Sequence, residues 1–259
     1  MSRRIWLTGA SSGIGHALAI ELLEDGNQLA LSARRSGPLQ ALAERFPGQV
    51  LLVPGDLGDA EQVQAIGQRI GQNWGVLDCV ILNAGTCEYV DSHAFDAALI
   101  ERVLRANLLS AAYCIEAALP LLRQGRQPHL VAVGSSASYW PLPRAEAYGA
   151  SKAGLRYLMQ SLRIDLAHEK IAVTLVSPGF VDTPLTQLND FPMPMRWPVE
   201  KAAQWIAQHL PKQPLEINFP KAFIAGLKLL SCLPQPVQLA IGKRLARSQP
   251  QEHKQEAQR

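Results

Sequence analysis

The sequence predicts a doubly wound α/β fold with a parallel sheet of about seven strands. Short, almost continuously apolar runs alternate along the chain with longer stretches of helical periodicity. Strands buried on both faces give such runs, and βαβ units with right-handed crossovers give the alternation. The 259 residues, 47% of them hydrophobic and 18% charged, suffice for one such domain and are unlike a disordered or fibrous chain.

Six apolar runs are the predicted strands, and a seventh is expected near the end of the domain: Arg4–Leu7, Gln28–Ser32, Val50–Val53, Cys79–Leu82, Leu130–Val133, Ala172–Val176 and Leu215–Pro220. The predicted helices between them are Gly13–Glu24, Leu39–Arg45, Asp59–Gln72, Phe95–Leu122 and Ala145–His168. Asp59 is expected to cap the third helix, with Gln62 completing a box-like pattern.

Composition and charge exclude several classes of protein. The formal net charge of +3 is not the electrostatic footprint of a nucleic-acid-binding protein. No apolar run approaches the ~18–20 residues needed to cross a bilayer. The four cysteines are scattered, without a CxxC pair or a Cys/His cluster. We therefore expect neither a disulfide framework nor a metal site, and a cytoplasmic location.

The last part of the chain has its own character. We expect one domain over residues 1–218, an amphipathic helical extension over 219–247 packed on that domain, and a disordered tail over 248–259. Residues 219–259 carry seven basic and two acidic side chains, which leaves a net charge of −2 for the rest. Packing on the domain or on a second subunit is the commoner role of such a segment. Peripheral contact with an anionic membrane is the alternative.

A glycine-rich turn separates the first strand from the first helix. It reads Thr8-Gly9-Ala10-Ser11-Ser12-Gly13-Ile14-Gly15. Glycines let the backbone approach a pyrophosphate, and the N-terminus of the next helix offers unpaired N–H groups and a partial positive charge. Because the turn follows a strand and opens a helix, it predicts dinucleotide binding by Gly9, Ser11, Ser12, Gly13, Ile14 and Gly15.

The TGxxxGxG spacing of this turn resembles that of the short-chain dehydrogenase/reductase family. Further motifs match in order: Asp56 after the third strand, Asn83-Ala84-Gly85 after the fourth, Asn107 in the next helix, Ser135 after the fifth strand, Tyr148-Gly149-Ala150-Ser151-Lys152, and Pro178-Gly179 after the sixth. The resemblance covers residues 3 to about 185. It implies a Rossmann-type fold and an oxidoreductase that binds a nicotinamide cofactor.

The end of the second strand bears on which nicotinamide cofactor binds. NAD-binding proteins of this fold place an acidic residue there, whereas Ala30–Arg35 contains no carboxylate and ends in two arginines. A guanidinium binds a 2′-phosphate bidentately, so the sequence predicts NADP(H), with Arg34 as the main contact and Arg35 as a second. The resemblance implies further cofactor contacts at Asp56, Leu57, Asn83, Ala84, Gly85, Tyr148, Lys152, Pro178, Gly179, Val181 and Thr183.

Tyr148 and Lys152 are the predicted catalytic pair. Their spacing of four places them on one face of a helix. A nearby ammonium is expected to lower the pKa of the phenol from its usual value near ~10, so that Tyr148 can exchange a proton with a carbonyl oxygen. The resemblance implies that Lys152 also holds the nicotinamide ribose.

Two more polar residues belong to the predicted catalytic group. Ser135 stands thirteen residues before Tyr148, the usual spacing in the family, and would polarise the substrate carbonyl; Ser136 stays open as the alternative. Asn107 lies in an apolar helix. The resemblance implies that it kinks this helix and holds a water in a proton relay with Lys152, and a hydrogen-bonded core asparagine is the plainer reading.

Apolar segments follow the fifth and sixth strands. These segments are Tyr139–Leu142, Phe180–Pro184 and Phe191–Trp197. Their aromatic and methionine side chains are typical of adaptable pockets. They predict a hydrophobic ketone or aldehyde, or the matching alcohol, as substrate. By resemblance, Leu188–Trp197 would form a mobile flap.

Two other functions share part of this pattern. An NADP(H)-sensing regulatory protein would bind the cofactor without turnover, but it would not need both Tyr148 and Lys152. A sugar-nucleotide epimerase or dehydratase also uses Tyr-x-x-x-Lys, yet it usually needs a longer C-terminal domain. The resemblance further implies a homodimer through the two long helical stretches, with Ala111, Ile115, Ala118, Leu155 and Met159 among the apolar residues expected at the interface.

Overall fold

The computed structural model describes residues 2–189 and 191–247, apart from the side chains of Leu188 and Arg247. Seven parallel strands form one sheet in the order β3-β2-β1-β4-β5-β6-β7. They are β1 Arg4–Thr8, β2 Gln28–Ser32, β3 Val50–Leu52, β4 Cys79–Leu82, β5 His129–Val133, β6 Ala172–Pro178 and β7 Glu216–Phe219. The strand order reverses between β1 and β4, and such a switch point opens a ligand crevice at the carboxyl ends of the strands. The predicted fold class is confirmed.

Nine α-helices occur in the described residues: α1 Gly13–Glu24, α2 Gly37–Arg45, α3 Ala60–Trp74, α4 Ala97–Leu104, α5 Ser110–Leu122, α6 Glu146–Asp165, α7 Val199–His209, α8 Lys221–Ser231 and α9 Gln235–Arg247. The predicted cap of α3 is present, since the Asp59 carboxylate accepts the backbone N–H groups of Glu61 and Gln62. Most of the predicted elements are therefore found within a few residues of their expected bounds.

Helices cover both faces of the sheet. Successive strand residues point to opposite faces, so in β1 Leu7 lies in a core with α1, α2 and α7, whereas Trp6 lies in a second core with α3, α5 and α6. The side chains of both residues are fully buried. This double covering explains why the strands are apolar throughout rather than alternating.

The structure corrects two predicted elements. The single helix expected over Phe95–Leu122 begins at Ala97, and a π-helical turn over Arg105–Leu109 divides it into α4 and α5. Helix α7 was not predicted at all. Its buried face consists mainly of Ala202, Ala203, Ile206 and Ala207, and alanines give only a weak hydrophobic signal although they pack closely against α1.

The apolar residues expected at a dimer interface lie elsewhere. Ala111, Ile115, Ala118, Leu155 and Met159 are buried inside the protomer, in the core beneath α5 and α6. They point at the sheet because each helix needs one apolar stripe for its own domain. The outward face of α6 instead carries Tyr157 and Ile164, each 76% exposed.

The chain leaves the sheet through β7 and ends in α8 and α9. Ile224 on α8 is buried, whereas no described side chain of α9 is. Residues 248–259, expected to be a disordered tail, lie outside the described residues. In the part of the chain that the structure describes, no helix has the length and apolar character needed to span a membrane.

Candidate active site

A cleft of about 850 Å³ opens at the carboxyl ends of the strands. The turns after β1, β2, β3, β4 and β6, the end of β5 and the second turn of α6 all contribute to its wall. Nearly every residue predicted for the site lines it: Gly9, Ser11, Ser12, Gly13, Ile14, Arg34, Arg35, Asp56, Leu57, Asn83, Ala84, Gly85, Ser135, Tyr148, Lys152, Pro178, Gly179, Val181 and Thr183. Three residues considered for the site do not line the cleft: Gly15, Asn107 and Ser136.

The glycine turn after β1 brings bare backbone to the cleft. Gly9 has a φ of +69°, and a Cβ there would lie 2.8 Å from the Cα of Ala84. Gly15 packs α1 beneath the turn, because its Cβ would lie 2.3 Å from the Gly9 carbonyl oxygen. Ser12 places no side-chain cap on α1, and the first turn of α1 holds no acidic residue. The helix terminus can therefore receive a phosphate.

Asn83 forms hydrogen bonds with the glycine turn. Its Nδ2 donates to the carbonyl oxygens of Thr8 at 3.1 Å and Gly9 at 3.3 Å. In return, Thr8 Oγ1 accepts the backbone N–H groups of Asn83 and Ala84 at 2.9 and 3.1 Å. Asn83 thus fixes the loop against β4 as well as lining the cleft.

The end of β2 is neutral and followed by exposed arginines. Trp6 Nε1 donates to Ser32 Oγ at 2.8 Å, and the backbone N–H of Gly9 donates to the Ser32 carbonyl at 2.8 Å. Arg34 and Arg35 are exposed at the cleft edge. Among the cleft-lining residues of this strand end none is acidic, so the two charged side chains there are both positive.

The turn after β3 lies next to the end of β2, because the backbone N–H of Gly55 donates to the Ala33 carbonyl oxygen at 3.2 Å. Asp56 Oδ1 accepts the backbone N–H of Gly58 at 2.9 Å, and the Asp56 N–H donates to Gln62 Oε1 at 2.9 Å. Leu57 is buried beside them. These residues line the cleft together with the arginines, and the adenine contact expected of Asp56 stays a prediction.

The residues at this cleft fit a nicotinamide dinucleotide. Backbone without side chains meets the cleft at Gly9 and Gly13, where the uncapped α1 N-terminus can take the pyrophosphate. The neutral end of β2 and the flanking arginines suit the ribose, with or without a 2′-phosphate.

Tyr148 stands at the inner end of the cleft, beside Ser135. The Ser135 Oγ accepts the backbone N–H of Ala137 at 3.1 Å, which leaves its own proton free to donate. Ser136 is buried and does not line the cleft. Of the two candidate serines, Ser135 is therefore the one that can reach a ligand.

Burial dominates the electrostatics of Tyr148. Desolvation raises the pKa of its phenol to about 12, and the hydrogen bond with Ser135 lowers it only in part. Lys152 is not among the groups that lower this pKa, and its Nζ lies 5.9 Å from the centroid of the tyrosine ring. At neutral pH the phenol is therefore protonated, ready to donate.

Lys152 is also buried, and desolvation lowers the pKa of its ammonium to about 8. Its Nζ donates to the carbonyl oxygen of Val133, at the end of β5, at 2.9 Å. The amine is thereby held on the Tyr148 side of the cleft. Near neutral pH it remains largely protonated, a compact positive charge in an otherwise apolar wall.

Asn107 lies in the π-helical turn and is almost completely buried. Its Oδ1 accepts the N–H of Thr86 at 2.7 Å, while Nδ2 donates to Thr86 O at 2.9 Å and Ser151 Oγ at 2.8 Å. These three contacts tie the loop after β4 to α6. The expected kink is present as the π-turn, whereas the water relay with Lys152 stays a prediction.

Aromatic rings gather beyond Tyr148. The Phe180 ring lies 6.1 Å from that of Phe191 and 5.8 Å from that of Phe223, and Tyr89 meets Phe191 edge-on at 5.8 Å. Tyr139, expected to line a pocket, is buried instead. Its ring is sandwiched between the Arg156 guanidinium and the Lys228 ammonium.

Part of the cleft wall was not anticipated from the sequence. Glu88, Arg102 and Arg105 line it from the loop after β4 and from the α4 end. Arg102 pairs with Glu88 at 3.1 Å, and Arg105 lies over Gly58. The sequence offered no signal for them, because Arg105 stands two residues before Asn107 and this spacing places side chains on different faces of a helix.

We expect Gly15→Ala to destabilise the fold by about 1–3 kcal/mol or more, since the added methyl would collide with the Gly9 carbonyl and Asn83 Nδ2, both 2.3 Å away. Gly71→Ala on α3 is the matched control. Its Cβ would meet only Leu121 Cδ2 at 3.5 Å, so helix propensity should make it neutral or stabilising by up to ~1 kcal/mol. Urea unfolding measures both, and equal shifts of the midpoint would contradict the packing argument.

Comparison with known proteins agrees with this geometry. The family model described as short chain dehydrogenase matches residues 3–191. An uncharacterized oxidoreductase of Myxococcus xanthus is 33% identical over 247 residues, covering 94% of this chain and 97% of that protein. The 11-beta-hydroxysteroid dehydrogenase A of Sesamum indicum is 35% identical over 186 residues; the match covers 70% of this chain and 53% of that longer protein.

Solved structures share the fold. A short-chain dehydrogenase/reductase from Burkholderia phymatum in complex with NAD has a TM-score of 0.81 at 21% identity, covering 92% of this chain and 95% of that one. An alcohol dehydrogenase from the archaeon Thermococcus sibiricus, complexed with 5-hydroxy-NADP, has a TM-score of 0.76 at 24% identity, covering 85% and 96%. The matched family, the parallel sheet and the cleft agree: this chain belongs to the short-chain dehydrogenase/reductase family of oxidoreductases.

Proposed function

We propose that this oxidoreductase transfers a hydride between NADP(H) and a hydrophobic ketone or aldehyde, or the matching alcohol. One observation carries the proposal: a protonated, partly buried Tyr148 phenol lies next to the Ser135 hydroxyl in the cleft that the glycine turn lines. A proton donor and a second hydrogen-bond donor at one point are what a carbonyl oxygen needs as it becomes an alcohol.

The cofactor would lie along the carboxyl edge of the sheet. Gly9, Gly13 and the α1 N-terminus would hold its pyrophosphate, and Arg34 with Arg35 the 2′-phosphate of its adenosine ribose. Lys152 would contact the nicotinamide ribose. When bound, NADPH supplies the hydride that reduces the carbonyl carbon.

The chain's own residues move the proton. In reduction, Tyr148 gives its phenolic proton to the carbonyl oxygen while the Ser135 hydroxyl donates a hydrogen bond to the same atom. The Lys152 ammonium favours the phenolate that this leaves behind. In oxidation the phenolate accepts the alcohol proton, which requires positive charge nearby because burial alone favours the neutral phenol.

The aromatic cluster beyond Tyr148 supports an apolar substrate. Phe180, Phe191 and Tyr89 converge there from two different loops, and rings in such positions exclude water and bind apolar surfaces. The steroid named in the description of the sesame relative is an apolar carbonyl or alcohol of this class.

We propose further that the chain is a cytoplasmic homodimer formed through α5 and α6. The free cysteines suit a reducing compartment. Tyr157 and Ile164 are exposed on α6, and their side chains form an apolar surface that the α6 helix of a second copy could cover.

Arg34→Glu should weaken NADPH binding about 10- to 100-fold and leave NADH binding almost unchanged, because it removes a charge-assisted contact that only the 2′-phosphate can make. Titration of cofactor fluorescence measures both affinities. Arg69→Glu, an exposed arginine on α3, is the matched charge control. Equal affinity of the parent protein for NADH and NADPH would refute the preference.

Tyr148→Phe should lower turnover about 10²- to 10⁴-fold with nearly intact cofactor binding, since the ring stays and only the proton is lost. Tyr157→Phe on the exposed side of α6 should have no effect. A panel of apolar ketones and aldehydes, followed by NADPH absorbance, provides the rate.

The same assay distinguishes Ser135 from Ser136 as the catalytic serine, and an enzyme from a cofactor sensor. Ser135→Ala should cost more rate than Ser136→Ala, because only Ser135 reaches the cleft. Tight NADPH binding by the parent protein without turnover on any carbonyl or alcohol in the panel would favour a cofactor sensor instead.

If the protein is a homodimer, light scattering coupled to size exclusion should give a mass near twice 28.3 kDa. The double variant Tyr157→Glu, Ile164→Glu should give the protomer mass, because two buried carboxylates would oppose each other across the symmetry axis. A parent protein that elutes as a monomer at micromolar concentration would refute the interface.

A further inference from the structure

Helix α8 leaves an uncharged strip of its surface exposed. From Ala222 to Leu230 its exposed residues are Ala222, Ala225, Gly226 and Leu229, with no polar side chain among them. The one charged residue in that stretch, Lys228, is 40% exposed along its side chain and pairs with Glu216. A helix that faced only water would carry charged or polar side chains on its outer face.

The inward contacts of α8 are specific. Lys228 Nζ binds Glu216 Oε2 at 2.5 Å and lies 4.9 Å from the centroid of the Tyr139 ring. Burial alone would raise the pKa of Glu216, but hydrogen bonds from Lys228 and Asn218 hold it below its usual value. With Ile224 buried in the same interface, α8 is docked in a defined orientation, and the strip that contains Ala225 and Leu229 faces outward.

Helix α9 adds further exposed apolar side chains. Gln238 Nε2 donates to the carbonyl oxygens of Ser231 and Leu233 at 3.1 and 2.6 Å, which fixes the turn between the helices. Val237, Leu239 and Leu245 on α9 are all exposed. We define the tail surface as the exposed apolar residues of α8 and α9: Ala222, Ala225, Gly226, Leu229, Val237, Leu239 and Leu245.

Charge indicates what covers the tail surface. Residues 219–247 contain five basic residues and no acidic one, whereas the formal net charge of the whole chain is only +3. Lys221 on α8 and Lys243 on α9 are exposed, and the Lys221 ammonium lies 5.5 Å from the centroid of the Trp205 ring on α7. A second copy related by a two-fold axis would bring like charges together, and residues 248–259 contain no large apolar side chain that could cover the surface.

We propose that the tail surface docks the protein on an anionic lipid bilayer, with the apolar side chains of α8 and α9 in the headgroup boundary and the lysines on the lipid phosphates. The docking face is continuous with the substrate end of the cleft, because Phe223 on α8 contacts Phe180 at a centroid distance of 5.8 Å. Docking is independent of the proposed hydride transfer, so its test needs no substrate.

The test is sedimentation of the full chain with vesicles of phosphatidylcholine alone or mixed in equal parts with phosphatidylglycerol. Binding is expected to the mixed vesicles, to weaken sharply in about 0.5 M NaCl, and to be much lower on phosphatidylcholine alone. Lys221→Gln with Lys243→Gln should weaken binding about 30-fold, since each lysine near an anionic surface contributes roughly tenfold or less. Lys170→Gln with Lys212→Gln, which alters exposed lysines at the opposite end of the sheet, should not.

A matched leucine pair tests the apolar part. Leu229→Gln should weaken vesicle binding about 10-fold or more, whereas Leu215→Gln, at 63% exposure against 70% for Leu229, should not. Circular dichroism and NADPH titration check that each variant is folded. Failure of the parent protein to sediment with mixed vesicles would overturn the proposal. So would a Leu229→Gln variant that loses a subunit in light scattering while its lipid binding is unchanged, because a second copy would then be the occupant.

Discussion

The hydrogen bonds between the turns after β1 and β4 are the constraint on which the site depends. Thr8 and Asn83 exchange backbone and side-chain hydrogen bonds at 2.9 to 3.1 Å, directly where the strand order reverses. The two halves of the sheet diverge from this point, so the crevice exists because these turns are pinned together. Gly9 and Gly15 are required for the same reason, since a Cβ on either would push the turns apart.

The same edge of the sheet holds two buried ionisable groups with opposed tendencies. Burial raises the pKa of Tyr148 to about 12 and lowers that of Lys152 to about 8, so each group is driven toward its neutral form. The carbonyl of Val133 and the hydroxyl of Ser135 compensate only in part. A positively charged ligand group beside the phenol would therefore shift its proton equilibrium far more than it could in water, because the surroundings screen charge weakly.

The C-terminal part of the chain shows how a salt bridge can orient an element rather than merely stabilise it. The Lys228–Glu216 pair is half-buried and adds little net free energy by general expectation. Its geometric effect is larger, because it selects which side of α8 faces the domain. The uncharged strip of that helix, with Ala225 and Leu229, is left outside, while Phe223 on the same helix contacts Phe180 in the aromatic cluster.

Local patterns in the sequence determined the strands, most helices and most of the residues that line the cleft. Buried strands, glycine turns and the Tyr148–Lys152 spacing can each be recognised within a few residues of sequence. Only the tertiary structure decided features that rest on contacts between distant segments. Helix α7 depends on close packing of alanines against α1, and the π-turn at Asn107 depends on partners at Thr86 and Ser151. The raised pKa of Tyr148 and the pairing of Lys228 with Glu216 likewise follow from burial and from partners brought together by the fold, and neither can be read from neighbours along the chain.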